Sequence, residues 1–294
     1  MKIARPAARE WEVVLPGRRR VVVGDTGGPA GAPTLVLLHG VTLTARLNWA
    51  AVLPALGRDY RVIILDLPGH GRSVPGPVPF RLEDCADDVA VVASALGVRQ
   101  IIPVGFSMGG LVAQLVWRRH RDLTAGLVLC STARNVSGSP WEQSGALLMP
   151  GLVAAAAWMP ALFPLSNGLL GADVVGASLL DGVVDPADRR HALLEMRRTS
   201  LLDALSAIQA ACRFTSHSWI GAVDVPTSVV ITTEDRVVPA RRQLKLAMAV
   251  PGSVVHEIDG GHGVFLDAPG RFAAALLAAC GSVTDQEART ESAS

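Results

Sequence analysis

The chain has 294 residues, 50% hydrophobic and 18% charged, enough apolar material for a large core and too ordered a composition for a disordered protein. Its 27 basic and 26 acidic residues leave a formal charge of +1 with no long run of either sign, which removes any electrostatic case for nucleic acid or an anionic membrane surface. Cys85, Cys130, Cys212 and Cys280 stand far apart without a C-x-x-C spacing, so neither a zinc site nor a disulfide framework is expected, and a small-molecule partner is.

The opening MKIARPAAREWEVV lacks the uninterrupted apolar core of a signal peptide, so a cytoplasmic location is expected. Residues 11–15 (WEVVL) and 19–23 (RRVVV) read as a hairpin turned at Pro16-Gly17, and 34–38 (TLVLL) as a short buried strand. Strand-like runs then recur at 61–65, 101–104, 127–130, 228–232 and 254–258, all continuous and rich in β-branched residues, as in a sheet covered on both faces. Helix-like stretches lie between them at 47–57, 82–96, 108–120, 239–249 and 268–280. The alternation predicts an α/β protein with an eight-stranded, mostly parallel, doubly wound sheet and an antiparallel start.

From 135 to 220 no strand-like run occurs. An insertion of that length predicts a helical cap over the carboxyl ends of the strands, set into a core formed by 1–134 and 221–281. Within it, 146–165 (ALLMPGLVAAAAWMPALFPL) is uncharged and about the ~20 residues a membrane span needs. Pro150, Pro160 and Pro164 interrupt it, so a broken apolar cap segment is expected rather than a span, with peripheral lipid contact the residual membrane role. The polar tail 282–294 is expected to be unordered.

One short stretch carries the chemistry. In Val104-Gly105-Phe106-Ser107-Met108-Gly109-Gly110, a serine follows a strand and precedes a helix, so the chain must reverse within about three residues. Such an elbow holds the serine at positive φ and crowds the positions two before and two after it, which Gly105 and Gly109 accommodate. The helix start behind Ser107 supplies unpaired N–H groups that favour a developing negative oxygen. A serine hydroxyl still needs a base, and the base a carboxylate.

His262, in the Gly260-Gly261-His262-Gly263 loop after the last strand, is the best placed of seven histidines. The carboxylate should also follow a strand. Asp235 does so, with Glu234 as the adjacent rival, whereas the end of the preceding strand offers Cys130-Ser131-Thr132 and no acid. The order Ser107, Asp235, His262 is the one this elbow motif predicts. For the oxyanion, the N–H groups of Met108 and Val41 are the candidates, with the Thr42 side chain as rival to Val41. His39 is read chiefly as holding its loop, and with Gly40 it is placed at the substrate edge. Trp141, Trp158, Phe163 and Trp219 are the candidate apolar walls for a substrate.

Together HG (39–40), DLPGHGRS (66–73), GFSMGG (105–110), TTEDRVVP (232–239) and GGHGVFLDAP (260–269) resemble the α/β-hydrolase superfamily across roughly residues 30–280. The resemblance implies Ser107 as nucleophile, His262 as base and Asp235 as acid, without metal or organic cofactor. Asp66, Gly69, His70, Gly71 and Ser73 match a loop that shapes the site entrance in that family, and turn chemistry explains them equally well. Members that open epoxides or displace halide carry an aspartate where Ser107 stands, and the H-G-G-G run of one lipase group is absent. The expected activity is hydrolysis of carboxylic esters with an apolar acyl or alcohol portion. Acyl transfer, perhydrolase or haloperoxidase-like chemistry and carbon–carbon bond hydrolysis share the elbow motif, and ligand binding on a retained hydrolase frame is the reading from another class.

Overall fold

The computed structural model describes residues 9–15, 20–74, 79–136 and 186–293. Eight strands form one sheet: β1 (Arg9–Val14), β2 (Arg20–Asp25), β3 (Thr34–Leu38), β4 (Arg61–Leu65), β5 (Ile102–Phe106), β6 (Leu127–Cys130), β7 (Thr227–Thr232) and β8 (Val254–Ile258). Their spatial order is β1-β2-β4-β3-β5-β6-β7-β8. β1 and β2 pair antiparallel, as do β2 and β4; every pairing from β4 to β8 is parallel.

The continuous apolar runs have the cause expected of them. Along β3, Val36 and Leu38 enter one core while Leu35 and Leu37 enter the other, and in β6 Leu127 and Leu129 oppose Val128 and Cys130 in the same way. The first core is closed by α3 (Leu82–Ala95) and α4 (Met108–Arg119). The second is closed by α1 (Ala45–Trp49), α2 (Leu53–Leu56) and the C-terminal helix.

Because β3 has β4 on one side and β5 on the other, the winding direction reverses between β3 and β5. The loops leaving their carboxyl ends therefore part and open a crevice, the usual ligand position in such sheets. Those loops begin at His39 and at Ser107.

Two expectations are corrected. The single helix expected over 47–57 is two short ones, because Pro54, which has no N–H to donate, sits in the first turn of α2 and ends the preceding run. The tail expected to be unordered from 282 continues as helix. Two helices from the inserted segment are described, α5 (Pro186–Met196) and α6 (Leu201–Arg213); after them come α7 (Ala240–Ala247), α8 (Val264–Asp267) and α9 (Pro269–Ala293). In α9, Val283 is fully buried beside Gly126, and Ser282 Oγ lies 3.3 Å from His256 Nε2, so packing holds what polarity argued against.

α5 and α6 touch the carboxyl end of the sheet. Thr44 Oγ1 donates to Glu195 Oε2 at 3.2 Å, and the Asp203 side chain lies against Gly69. The rest of the insertion, 137–185, is outside the described residues, and with it Trp141, Trp158, Phe163 and the 146–165 segment. Among the described residues no helix is long and apolar enough to cross a membrane.

Candidate active site

Ser107 joins β5 to α4 with φ 54° and ψ −117°, a backbone region costly for any residue with a side chain. The surroundings enforce it. Its N–H donates to the Cys130 carbonyl at 2.9 Å, and its own carbonyl accepts from Gly110 N at 2.9 Å and Thr132 Oγ1 at 2.8 Å. The adjacent glycines are required by contact: a Cβ on Gly105 would strike the backbone of Gly109 and Gly110, and one on Gly109 would strike the Leu38 carbonyl. Sequence crowding around the serine is thus the packing of α4 directly onto β3 and β5.

His262 Nε2 stands 2.9 Å from Ser107 Oγ, and His262 Nδ1 stands 2.7 Å from Asp235 Oδ2. The imidazole is held from below by Phe106, ring centroids 5.0 Å apart. Asp235 is buried, and its Oδ1 accepts from the N–H groups of Val237 and Val238, both at 2.8 Å. Glu234, one residue earlier, is exposed, and its backbone N–H is spent on the Gly260 carbonyl. With the carboxylate accepting at Nδ1, His262 carries its proton there and presents a lone pair at Nε2 to the serine hydroxyl. Three segments separated by 128 and 27 residues thus meet as hydroxyl, base and acid.

The loop after β3 lies against the same serine. A Cβ on Gly40 would stand 3.3 Å from Ser107 Cβ, and the Gly40 N–H donates to Asn48 Oδ1 at 3.1 Å. Thr42 takes φ 60°, unusual for a β-branched residue, and its hydroxyl donates to the Val41 carbonyl at 2.7 Å. That bond commits the Thr42 side chain. Among the described residues, neither the Val41 nor the Met108 N–H meets a backbone acceptor; Met108 follows Ser107 directly, and Val41 follows Gly40, which lies against Ser107.

His39 is fully buried with both nitrogens engaged: Nδ1–H donates to the Gly40 carbonyl at 2.8 Å and Nε2 accepts from Leu67 N at 2.8 Å. Burial and the neighbouring His70 push its pKa down to about 3. Its ring therefore ties the β3 and β4 loops together and offers no free nitrogen to a substrate, which corrects its placement as a substrate contact. In the β4 loop, Asp66 accepts from Ala45 N at 2.7 Å and Arg72 N at 2.9 Å, and Ser73 Oγ donates to the Asp66 carbonyl at 2.6 Å. Turn chemistry accounts for the motif. His70 is likewise buried, and burial lowers its pKa.

Trp219 is not brought to the site. It stacks on Trp117, centroids 6.1 Å apart with planes at 20°, and packs edge-on against Phe214. Trp117 lies ten residues along α4 from Ser107, about 15 Å at the usual helical rise. Sequence position within the insertion suggested a substrate wall; its stacking partner lies on a different element and left no local signal. Reading the sequence also missed Thr132, Asn48, Thr232 and Gln243. Of these only Thr132 and Thr232 stood in quoted stretches, and neither was read for its hydroxyl.

The family described as alpha/beta hydrolase fold matches residues 33–269. This chain belongs to that family. Among curated relatives it is 28% identical over 251 residues to the magnesium-chelatase 30 kDa subunit of Rhodobacter capsulatus, covering 81% of this chain and 83% of that protein. Over 112 residues it is 39% identical to the pimeloyl-[acyl-carrier protein] methyl ester esterase of Sodalis glossinidius, covering 38% of this chain and 41% of the esterase. A hydrolase from Pseudomonas aeruginosa PA01 superposes with a TM-score of 0.79 at 23% identity, over 93% of this chain and 98% of that one, a likeness of fold. Ser107, Asp235 and His262 stand just past the carboxyl ends of β5, β7 and β8.

Proposed function

We propose that this α/β hydrolase is a cytoplasmic serine esterase that cleaves carboxylic esters through an acyl-enzyme on Ser107. The observation that carries the reading is the unbroken hydrogen-bond path from Ser107 Oγ to His262 Nε2 and from His262 Nδ1 to Asp235, set on a strained elbow. The match to a methyl ester esterase supports ester chemistry.

In this mechanism Ser107 Oγ attacks the ester carbonyl carbon while His262 Nε2 takes its proton, and Asp235 stabilises the imidazolium. The carbonyl oxygen, now negative, is held by the N–H groups of Met108 and Val41, whose strained neighbours Ser107 and Thr42 keep them in place. Collapse expels the alcohol, which receives the proton from His262. Water then repeats the attack with His262 as base, the acid departs and Ser107 regains its proton. The insertion acts as a cap: α5 and α6 rest on the β3 and β4 loops, and Trp141, Trp158 and Phe163 would supply apolar walls for the acyl or alcohol portion.

A fluorophosphonate probe tests the reading. Wild-type protein should be labelled and Ser107→Ala left unmarked, and p-nitrophenyl esters of rising acyl length should be turned over. Equal labelling of both proteins rejects the assignment. A second reading, ligand binding on a retained hydrolase frame, draws on the relative named as a magnesium-chelatase subunit, which matches over most of its length. It predicts neither labelling nor turnover.

A further inference from the structure

The acid of the site is held by more than its own turn. Asp235 Oδ2, the oxygen that faces His262, also lies 2.8 Å from Thr232 Oγ1 and 3.2 Å from Gln243 Nε2. Gln243 is fully buried on α7 and uses its whole amide: Oε1 accepts from Thr232 N at 3.1 Å, and Nε2 donates to the Val238 carbonyl at 2.7 Å and to Thr232 Oγ1 at 2.9 Å. Ser131 Oγ, at the end of β6, stands 3.2 Å from the same Thr232 oxygen. Ser131 is fully buried with φ 47°, a third strained backbone beside the site.

We infer that Thr232 and Gln243 are positioning residues for the proposed reaction, acting through Asp235. The inference rests on Ser107, His262 and Asp235 being the reacting set. A buried carboxylate is stabilised as an anion only by donors, and a syn–anti rocking of Asp235 would break the bond that fixes the His262 tautomer. Val237 and Val238 hold Oδ1. Oδ2, which must point at the imidazole, has the Thr232 hydroxyl as its remaining full donor, and the Gln243 N–H that bonds Thr232 Oγ1 reaches it at 3.2 Å only as the longer arm of a shared bond. Thr232 can donate its one proton to Asp235 because Gln243 Nε2–H occupies a lone pair of the same oxygen, and Ser131 O–H can occupy another. Each such bond polarises the next, so the path extends from Gln243 through Thr232 and Asp235 to His262. The end of β6, which offers no acid, contributes a hydroxyl to Thr232, which in turn faces the acid after the neighbouring strand.

The test compares Thr232→Val, which keeps shape and removes the hydroxyl, with Thr232→Ser, which restores it, and with Gln243→Met. Three readouts are taken on each folded variant: kcat, KM, and the far-downfield proton NMR resonance of His262 Nδ1–H. Thr232→Val and Gln243→Met should lose about tenfold in kcat with KM within about twofold, and the resonance should move upfield or broaden. Thr232→Ser should return both kcat and resonance most of the way to wild type. Unchanged kcat and resonance in Thr232→Val overturn the inference, and so does an equal loss in Thr232→Ser, which would assign the effect to packing. If wild-type protein neither binds the fluorophosphonate nor turns over any ester, the esterase reading fails on its own. The resonance comparison still reports whether Thr232 and Gln243 hold the Asp235–His262 pair.

Discussion

Asp235 Oδ2 and His262 Nδ1 lie 2.7 Å apart in a buried contact, while the carboxylate of Glu234 stands on the exposed side of the same turn. Asp235→Asn would put an amide N–H or a neutral carbonyl where the anion accepts, favour the wrong imidazole tautomer and lower kcat by about 10² to 10⁴. Glu234→Gln should stay within about twofold of wild type. Steady-state kinetics on a short p-nitrophenyl ester decide between them. A greater loss in Glu234→Gln would transfer the acid role to that residue.

Two glycines separate contact from freedom. Gly109→Ala pushes a methyl group into the backbone carbonyl of Leu38, with no flexible side chain to give way. It should destabilise the fold by at least about 2 kcal/mol or prevent it forming. Gly281 sits mid-way along α9 with open space around the position a Cβ would take, so Gly281→Ala should stabilise by about 0.5–1 kcal/mol through helix propensity. Urea denaturation of both variants measures the contrast. A stable, active Gly109→Ala protein would show that the elbow does not need its close approach to β3.

Much of this architecture is legible from local sequence because parallel strands covered on both faces carry a continuous apolar signature. β3, β4, β6 and β8 begin and end where their runs do. Ser107, Asp235 and His262 stand out as candidates because each lies within four residues of the end of such a run, and strand ends in this topology share one edge. The remainder depends on partners distant in sequence. Nothing near Gln243 announces a carboxylate eight residues earlier, and nothing near Ser282 announces the buried pocket for Val283. The helical tail and the two-part helix at 45–56 follow from a packing site and from one proline.

Trp219 lies half-buried against Trp117, with the Arg118 guanidinium 5.8 Å from its ring centroid. Its contribution is therefore to the packing of the insertion's end on α4. Trp219→Ala should cost about 2 kcal/mol in stability and leave the acyl-length preference unchanged. Thermal unfolding and the p-nitrophenyl ester panel give the two readouts. A shifted preference at unchanged stability would return Trp219 to the substrate wall.

His39 makes stability depend on acid. Its folded pKa is pushed from 6.5 to about 3 by burial and by His70, because a proton at Nε2 would displace the Leu67 N–H bond and charge a dry site. Between those values the unfolded chain binds a proton that the native state refuses, so stability is full above pH 6.5 and declines as pH falls towards 3. At pH 5 the loss from this group alone is about 2 kcal/mol, and His70, shifted in the same direction by burial, adds to it. Asp87, held below the usual carboxylate range by its bond to Arg119, adds loss only nearer pH 4. Urea midpoints at pH 7, 6 and 5 should therefore fall steadily in wild type. In His39→Asn the protein should be weaker at pH 7, since the bond between loops is lost, but its decline towards pH 5 should be shallower by about one proton's worth. Equal slopes in the two proteins would mean that His39 is protonated without cost in the native state. Its ring could not then be the uncharged tie between the β3 and β4 loops.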